Sequence, residues 1–461
     1  MKARLPLSIL FLALVLGLAP SPARAADSQA AAPVAKAVFK KLVPSIDLKD
    51  GQTLVFVGDS ITHQCLYTQY IEDYYYTRYP KLRIHFHNAG VSGDRACDAL
   101  ERFDDDVAAC KPRYATVLMG MNDGGYRGFD KAVFDAYQRD MSKLLDRLAA
   151  IGATAIPITP TMHDARSARL RGKGAEPRDT YYNGVLGLYG AWLREVAQVR
   201  GLGFVDMYSP LNQLTLAGRK KDANFSLIHD SVHPDAPGQV VMAAAILDDM
   251  CPRSAVSAIT IQDDKASQLA AIAGNGTIAD FQADCDGVRF TFTAKALPWA
   301  VPPEAAPGYE LLHAGHHYSM EAFTARNLKP GRYELKIDGQ PVGTWPDTQL
   351  AFRLELESNP KTPQYQQALR VALLNRERND KAVRPLCDLW LQLKVRRYAL
   401  ARQVATKAPG LDEAKAQLEK WRATEFKAGV EKLTALARDY EAKIYQANQP
   451  VTRKYELTRV K

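Results

Sequence analysis

Two short stretches of this 461-residue chain carry side chains suited to nucleophilic chemistry. In Asp230-Ser231-Val232-His233-Pro234, an acid and an imidazole stand three residues apart. Projecting from one side of a turn, the carboxylate can bond one ring nitrogen, fix the tautomer and leave the other nitrogen free to take a proton. In Leu54-Val55-Phe56-Val57-Gly58-Asp59-Ser60-Ile61-Thr62, a hydroxyl follows four apolar residues and a glycine. A serine there is surrounded by the backbone N–H groups of a helix start, which suits an anionic intermediate. Taken singly, each stretch has a plainer reading. Serines after strands more often cap helices, and a lone Asp-x-x-His is more often a cap with an incidental histidine.

The elements around these residues bring them toward one another. Leu54–Val57 reads as a buried strand, with a helix expected just past Thr62. The run 82–88 is a second strand, and Ala89-Gly90-Val91-Ser92-Gly93-Asp94 after it presents backbone N–H groups level with Ser60. Residues 99–109 have a helical pattern. Strand 114–119 ends in Gly120-Met121-Asn122-Asp123, which places the amide of Asn122 at a third strand end. The pattern continues with a helix over 134–148, a fourth strand over 153–158, a helix over 181–199 and a short fifth strand over 203–206. Such alternation predicts a parallel sheet covered by helices on both faces, with the ligand beyond the carboxyl ends of the strands. The first helix carries Tyr67, Tyr70, Tyr74, Tyr75, Tyr76 and Tyr79. It is expected to pack aromatic edges on the sheet with hydroxyls outward, the alternative being that some of them line a sugar groove.

Taken together, Gly58-Asp59-Ser60-Ile61-Thr62, Gly93, Gly120-Met121-Asn122-Asp123 and Asp230-Ser231-Val232-His233 resemble the four sequence blocks of the SGNH (GDSL-type) hydrolases. The resemblance covers about 41–253, roughly half of the chain. It implies an α/β fold, a flavodoxin-like three-layer α/β/α domain. It further implies Ser60 as nucleophile, His233 as general base and Asp230 as its orienter. The oxyanion hole would be formed by the N–H groups of Ser60 and Gly93 with the side chain of Asn122. This chemistry runs on side chains, so neither cofactor nor metal is expected. The nucleophile elbow of the α/β-hydrolases needs a glycine two residues after the serine, where this chain has Thr62.

Lys2 and Arg4, an apolar run to Leu18 and Ala23-Arg24-Ala25 form the pattern of a secretory signal peptide over 1–25. A secreted or periplasmic location, with cleavage after Ala25, is the expectation. No stretch is apolar enough to predict a transmembrane segment. The formal charge is +9, and the leader accounts for three positive residues, leaving +6. Residues 361–461 hold 22 Lys+Arg against 11 Asp+Glu, or +11, so the rest of the mature chain carries −5. The surplus reads as the solvated face of the tail rather than a site for an anionic polymer or membrane. Nucleic acid is not expected as a partner, because no binding module accompanies the basic residues. Six cysteines (65, 97, 110, 251, 285, 387) fit an oxidising compartment. Neighbour pairing suggests Cys97–Cys110 and Cys251–Cys285, with free buried thiols as the alternative.

From about 254 to 358 the pattern turns to alternating strands, including a hairpin at Asp338-Gly339, and predicts a small β-rich module. His313-Ala314-Gly315-His316-His317 is expected to be an exposed loop rather than a zinc site. Over 362–447 a helical hairpin is expected, turning at Pro409-Gly410, with Pro385 a kink or break. The resulting expectation is a secreted serine esterase removing O-acetyl groups from a polysaccharide. Its alternatives are a lipid or aryl esterase, a polysaccharide O-acetyltransferase, and a polysaccharide-binding scaffold.

Overall fold

Strands β1 (Thr53–Gly58), β2 (His85–Gly90), β3 (Tyr114–Leu118) and β4 (Thr154–Ile158) form a parallel sheet in the order β2-β1-β3-β4. The computed structural model describes residues 38–170, 177–284 and 287–460, so the leader expected over 1–25 lies outside the described residues. Within β1, Leu54 to Val57 are fully buried, as strands covered on both faces must be. The fifth strand shrinks to a single parallel bridge between Ile158 and Val205. Asp206 ends it by turning the chain into helix Tyr208–Arg219, its Oδ1 accepting from Ser209 N at 3.0 Å. Helices Lys131–Ala150, Pro177–Arg200 and Ala236–Met250 cover the sheet.

The tyrosine helix, Leu66–Arg78, departs from expectation. Its tyrosines are buried rather than turned outward, and they do not line a groove. One side meets the sheet, where Phe86 packs edge-on to Tyr76 at 5.3 Å. The other side is covered by later parts of the chain. Trp299 donates from Nε1 to Tyr70 O (3.0 Å) and meets the Tyr74 ring edge-on. Asn375 Nδ2 donates to Asp73 Oδ1 at 2.8 Å. Arg378 pairs with Glu72 at 3.1 Å, both side chains nearly inaccessible to solvent.

Beyond the first domain, the chain forms β5 (Ser257–Asp263), β6 (Leu269–Gly274), β7 (Gly276–Ala283) and β8 (Gly287–Ala294). It continues with β9 (Glu321–Ala325), β10 (Arg332–Ile337), β11 (Gln340–Pro346) and β12 (Leu354–Glu355). The hairpin β10–β11 turns at Asp338-Gly339, both with positive φ (51° and 77°), the geometry expected of Asp-Gly. One sheet runs β12-β9-β5-β6 and the other β11-β10-β13-β8-β7, where β13 is Arg453–Val460. Their inner faces share one core containing Ile259, Phe323, Phe290, Leu335 and Tyr455. Strand β13 (Arg453–Val460) enters the second sheet from the far end of the described chain and lies between β10 and β8. The histidines at 313, 316 and 317 are exposed, on and beside the helical turn Ala314–Tyr318 rather than a loop.

Helix Pro363–Arg378 is continued by a π turn, Asn379–Val383, into Arg384–Thr406, and Pro385 stands directly after that wide turn without breaking the helix. After Pro409-Gly410 the chain returns through Leu411–Trp421 and Lys427–Ala447. Trp390, Leu393, Trp421 and Phe426 close the contact between the two arms. Cys97 and Cys110 are free thiols, not a bridge; the Cys110 thiol turns instead to Asp106 O. Cys251 is also free, and Cys285 lies outside the described residues. Cys65 and Cys387 are buried together with Val383, where the tail helix meets the first domain. Among the described residues, no helix is long and apolar enough to cross a membrane.

Candidate active site

Ser60 stands where β1 ends, and the helical turn Ser60–His63 begins with it rather than after Thr62. The turn is tight enough that a Cβ on Gly58 would fall 1.9 Å from Thr62 Oγ1, which is why only glycine serves there. Asp59 caps the turn, its Oδ1 accepting from Ile61 N at 2.9 Å. Cys65, at φ 60°, then breaks the helix before the tyrosine helix starts.

The loop after Ile228 carries His233 to the same place. His233 Nε2 lies 2.7 Å from Ser60 Oγ, and His233 Nδ1 lies 2.6 Å from Asp230 Oδ2. A carboxylate only accepts, so the ring proton sits on Nδ1 and Nε2 presents its lone pair to the serine hydroxyl. Asp230 Oδ1 accepts from the backbone of Val232 (2.9 Å) and His233 (2.6 Å). Burial pushes Asp230 up, but these hydrogen bonds outweigh it and hold the carboxyl below its ordinary range. Ser231 adopts φ 79° between them, and its carbonyl accepts from Asp164 N.

Because β2 and β3 flank β1, the loops after them flank Ser60. Gly93 lies in the first, at φ 74°, left-handed backbone that favours glycine. Asn122 lies in the second, its Oδ1 accepting from Tyr126 OH at 3.0 Å. That bond turns Nδ2 toward the other loops, where it donates to Asp94 O (3.0 Å) and more weakly to Asp59 Oδ2 (3.3 Å). Burial raises Asp59 to about 7, against its bond from Ile61 and with help from Asp123 and Asp94 nearby.

The cleft over Ser60 measures about 530 Å³ and is lined by Ser60, His63, Gln64, Leu66, Ser92, His233 and Arg384. Only Leu66 is aliphatic. Arg384 comes from the tail, its Nη2 donating to Gln64 O at 2.9 Å. Neither Arg384 nor His63 belongs to the motifs that mark the site in the sequence. His63 had a usable signal, lying one helical turn after Ser60. Arg384 had none, being one more cation in a basic helix.

A nucleophile, a base whose tautomer is fixed, and donors from two neighbouring loops can carry acyl transfer. Residues 56–241 match the family model described as the GDSL-like Lipase/Acylhydrolase family. An acetylxylan esterase of Geobacillus stearothermophilus is 26% identical over 220 residues, 43% of this chain and 93% of that protein. Among solved structures, a gut microbial diltiazem-metabolizing enzyme is 25% identical with a TM-score of 0.75, covering 90% of this chain and 99% of its own. Residues 56–241 thus form a domain of the GDSL-like lipase/acylhydrolase type, and the chain is an ester-bond hydrolase.

Proposed function

We propose that the protein is an exported carbohydrate O-acetylesterase, with Ser60 as nucleophile, His233 as general base and Asp230 as its orienter. The observation that carries this reading is the relay of two short contacts, Ser60 Oγ to His233 Nε2 (2.7 Å) and His233 Nδ1 to Asp230 Oδ2 (2.6 Å). His233 takes the serine proton as Oγ attacks the ester carbonyl, and Asp230 stabilises the imidazolium. The oxyanion forms against the N–H groups of Ser60 and Gly93 and the Nδ2 of Asn122, which gives up its long contact to Asp59. The C–O bond then breaks, and the alcohol leaves with the proton from His233. Water, deprotonated by the same imidazole, releases the acid and restores Ser60.

Acetate as the acyl group is supported by the side chains of the cleft, among which Leu66 alone is aliphatic and could hold a longer chain. A carbohydrate as the alcohol is supported by the acetylxylan esterase relative. Export is supported by the leader pattern over 1–25 alone. A second reading, an esterase for small organic molecules, is favoured by the diltiazem-metabolizing enzyme, whose likeness extends over 90% of this chain.

The test is hydrolysis of nitrophenyl esters with two, four and eight acyl carbons, alongside acetylated xylo-oligosaccharides, by the wild type and Ser60→Ala. The expected result is preference for the two-carbon ester, acetate release from the oligosaccharide and loss of both in Ser60→Ala. Cleavage of the eight-carbon ester as fast as the acetate, or an active Ser60→Ala, overturns the reading. Acetate released from the nitrophenyl ester but not from the oligosaccharide favours the small-molecule alternative.

A further inference from the structure

His63 is almost closed off from solvent, with a side chain 9% exposed, although it lies only one turn beyond Ser60. Its Nδ1 faces the N–H of Ser92 at 3.2 Å and the hydroxyl of Ser92 at 3.1 Å. A backbone N–H can only donate, so Nδ1 is the lone-pair nitrogen and the ring proton sits on Nε2. That proton points at Asp388 Oδ1, 3.1 Å away. Asp388 belongs to the tail helix Arg384–Thr406, not to the first domain. The arrangement repeats the logic of an oriented imidazole, here aimed at a backbone amide instead of a hydroxyl.

The same helix grips the next atoms of the loop. Lys394 Nζ donates to Ser92 O at 3.2 Å and pairs with Asp94 Oδ1 at 2.8 Å. Ser92 C=O and Gly93 N–H belong to one planar trans peptide, so they point in opposite directions. Holding the carbonyl against Lys394 therefore fixes the direction of the Gly93 N–H. His63 fixes the residue on the other side of that peptide. Glycine at φ 74° has no side chain of its own to resist rotation, so the peptide depends on these outside contacts. Burial keeps His63 below the ordinary imidazole range, against the opposing pull of Asp388, which favours the neutral ring that accepts from Ser92.

We propose that His63, Asp388 and Lys394 are positioning residues: through them the tail helix holds the Ser92–Gly93 peptide with its N–H facing the oxyanion, making the tail part of the catalytic machinery. The inference rests on the proposed role of Gly93 as an oxyanion donor. None of the three residues needs to touch substrate for this.

The experiment compares kcat and KM for nitrophenyl acetate in wild type, His63→Leu, His63→Asn, Lys394→Met and Asp388→Ala, with thermal unfolding of each. A displaced donor costs transition-state but not ground-state interactions, so His63→Leu and Lys394→Met should each lose about 100-fold in kcat with KM within about threefold. His63→Asn keeps an acceptor near the position of Nδ1 and should recover kcat to within about tenfold of wild type. Asp388 is half exposed and can be changed without disturbing the core, so Asp388→Ala should fold and lose about tenfold in kcat. His63→Leu or Asp388→Ala turning over within about twofold of an active wild type overturns the brace, as does a loss confined to KM. An inactive wild type overturns the esterase reading itself, and the brace with it.

Discussion

Replacing Asp59 by Asn tests the electrostatics of the turn that carries Ser60. The Asp59 carboxyl is fully buried, and burial raises it from 3.8 to about 7. A raised acid costs the folded state nothing while protonated in both states. Its cost grows as pH climbs from about 4, where the unfolded side chain ionises, and levels off above about 7, where the folded one ionises too. Three pH units at 1.36 kcal/mol each amount to about 4 kcal/mol at pH 8. Asn keeps the oxygen that accepts from Ile61 and adds no charge, but turns an NH2 toward the Asn122 donor, so Asp59→Asn should gain about 4 kcal/mol on the wild type between pH 4 and pH 8. Residues 39–461 number 461 − 38 = 423. At about 2.1 cal/mol/K per residue the gap corresponds to about 4–5 °C in Tm for cooperative unfolding. Calorimetric scans of both proteins at pH 4.5, 6 and 8 provide the measurement. An increment that is the same at all three pH values, or a variant less stable than wild type at pH 8, refutes the reasoning.

Arg378→Met leaves Glu72 buried without its cation and should destabilise the protein by about 3–5 kcal/mol, read from urea unfolding at pH 7.5. A change under about 1 kcal/mol would mean that burial already holds Glu72 neutral, against the donors Asn379 and Asn375 that favour its anion. Trp299→Ala removes a fully buried indole from the tyrosine helix and should cost about 3–5 kcal/mol, seen as a lower unfolding midpoint in urea. Asn122→Ala should lower kcat on nitrophenyl acetate by about 10²–10³ without comparable change in KM, as steady-state kinetics would show. Ending the chain at Thr452 removes β13 and should yield an insoluble product, measured as the fraction recovered in the supernatant.

What the sequence made legible is what short stretches determine. Ser60, Gly93, Asn122 and the Asp230–His233 pair each sit at the end of a strand or in one loop, where local pattern places them. Parallel topology then brings the loops after β1, β2 and β3 side by side. The contributions of Arg384, Asp388 and Lys394 were illegible because they depend on where a helix docks some 300 residues downstream. An apolar stripe shows that such a helix packs against something, but its polar residues look the same over an active site as over water. The tyrosine helix misled for a related reason. Six tyrosines in thirteen residues read as an amphipathic surface only until Trp299 and the helix Pro363–Arg378 close over it. Strand β13 carried a weak alternation, Tyr455 and Leu457 inward between charged neighbours, which one strand after a long helix does not make conspicuous.

That strand sets a timetable for folding. Tyr455 pairs with Ile337 on one side and Phe290 on the other, so β8 and β10 have no common neighbour until it arrives. Between Ala294 and Arg453 the ribosome must add 453 − 294 = 159 residues, about 8–30 s of synthesis at ordinary rates. β8 stands with an open edge throughout that interval and β10 from Ile337 onward, each a template for pairing with another chain. A nascent molecule therefore spends its longest vulnerable period with the whole first domain already made, and a holdase that shields β-edges should raise its yield more than one that shields helices.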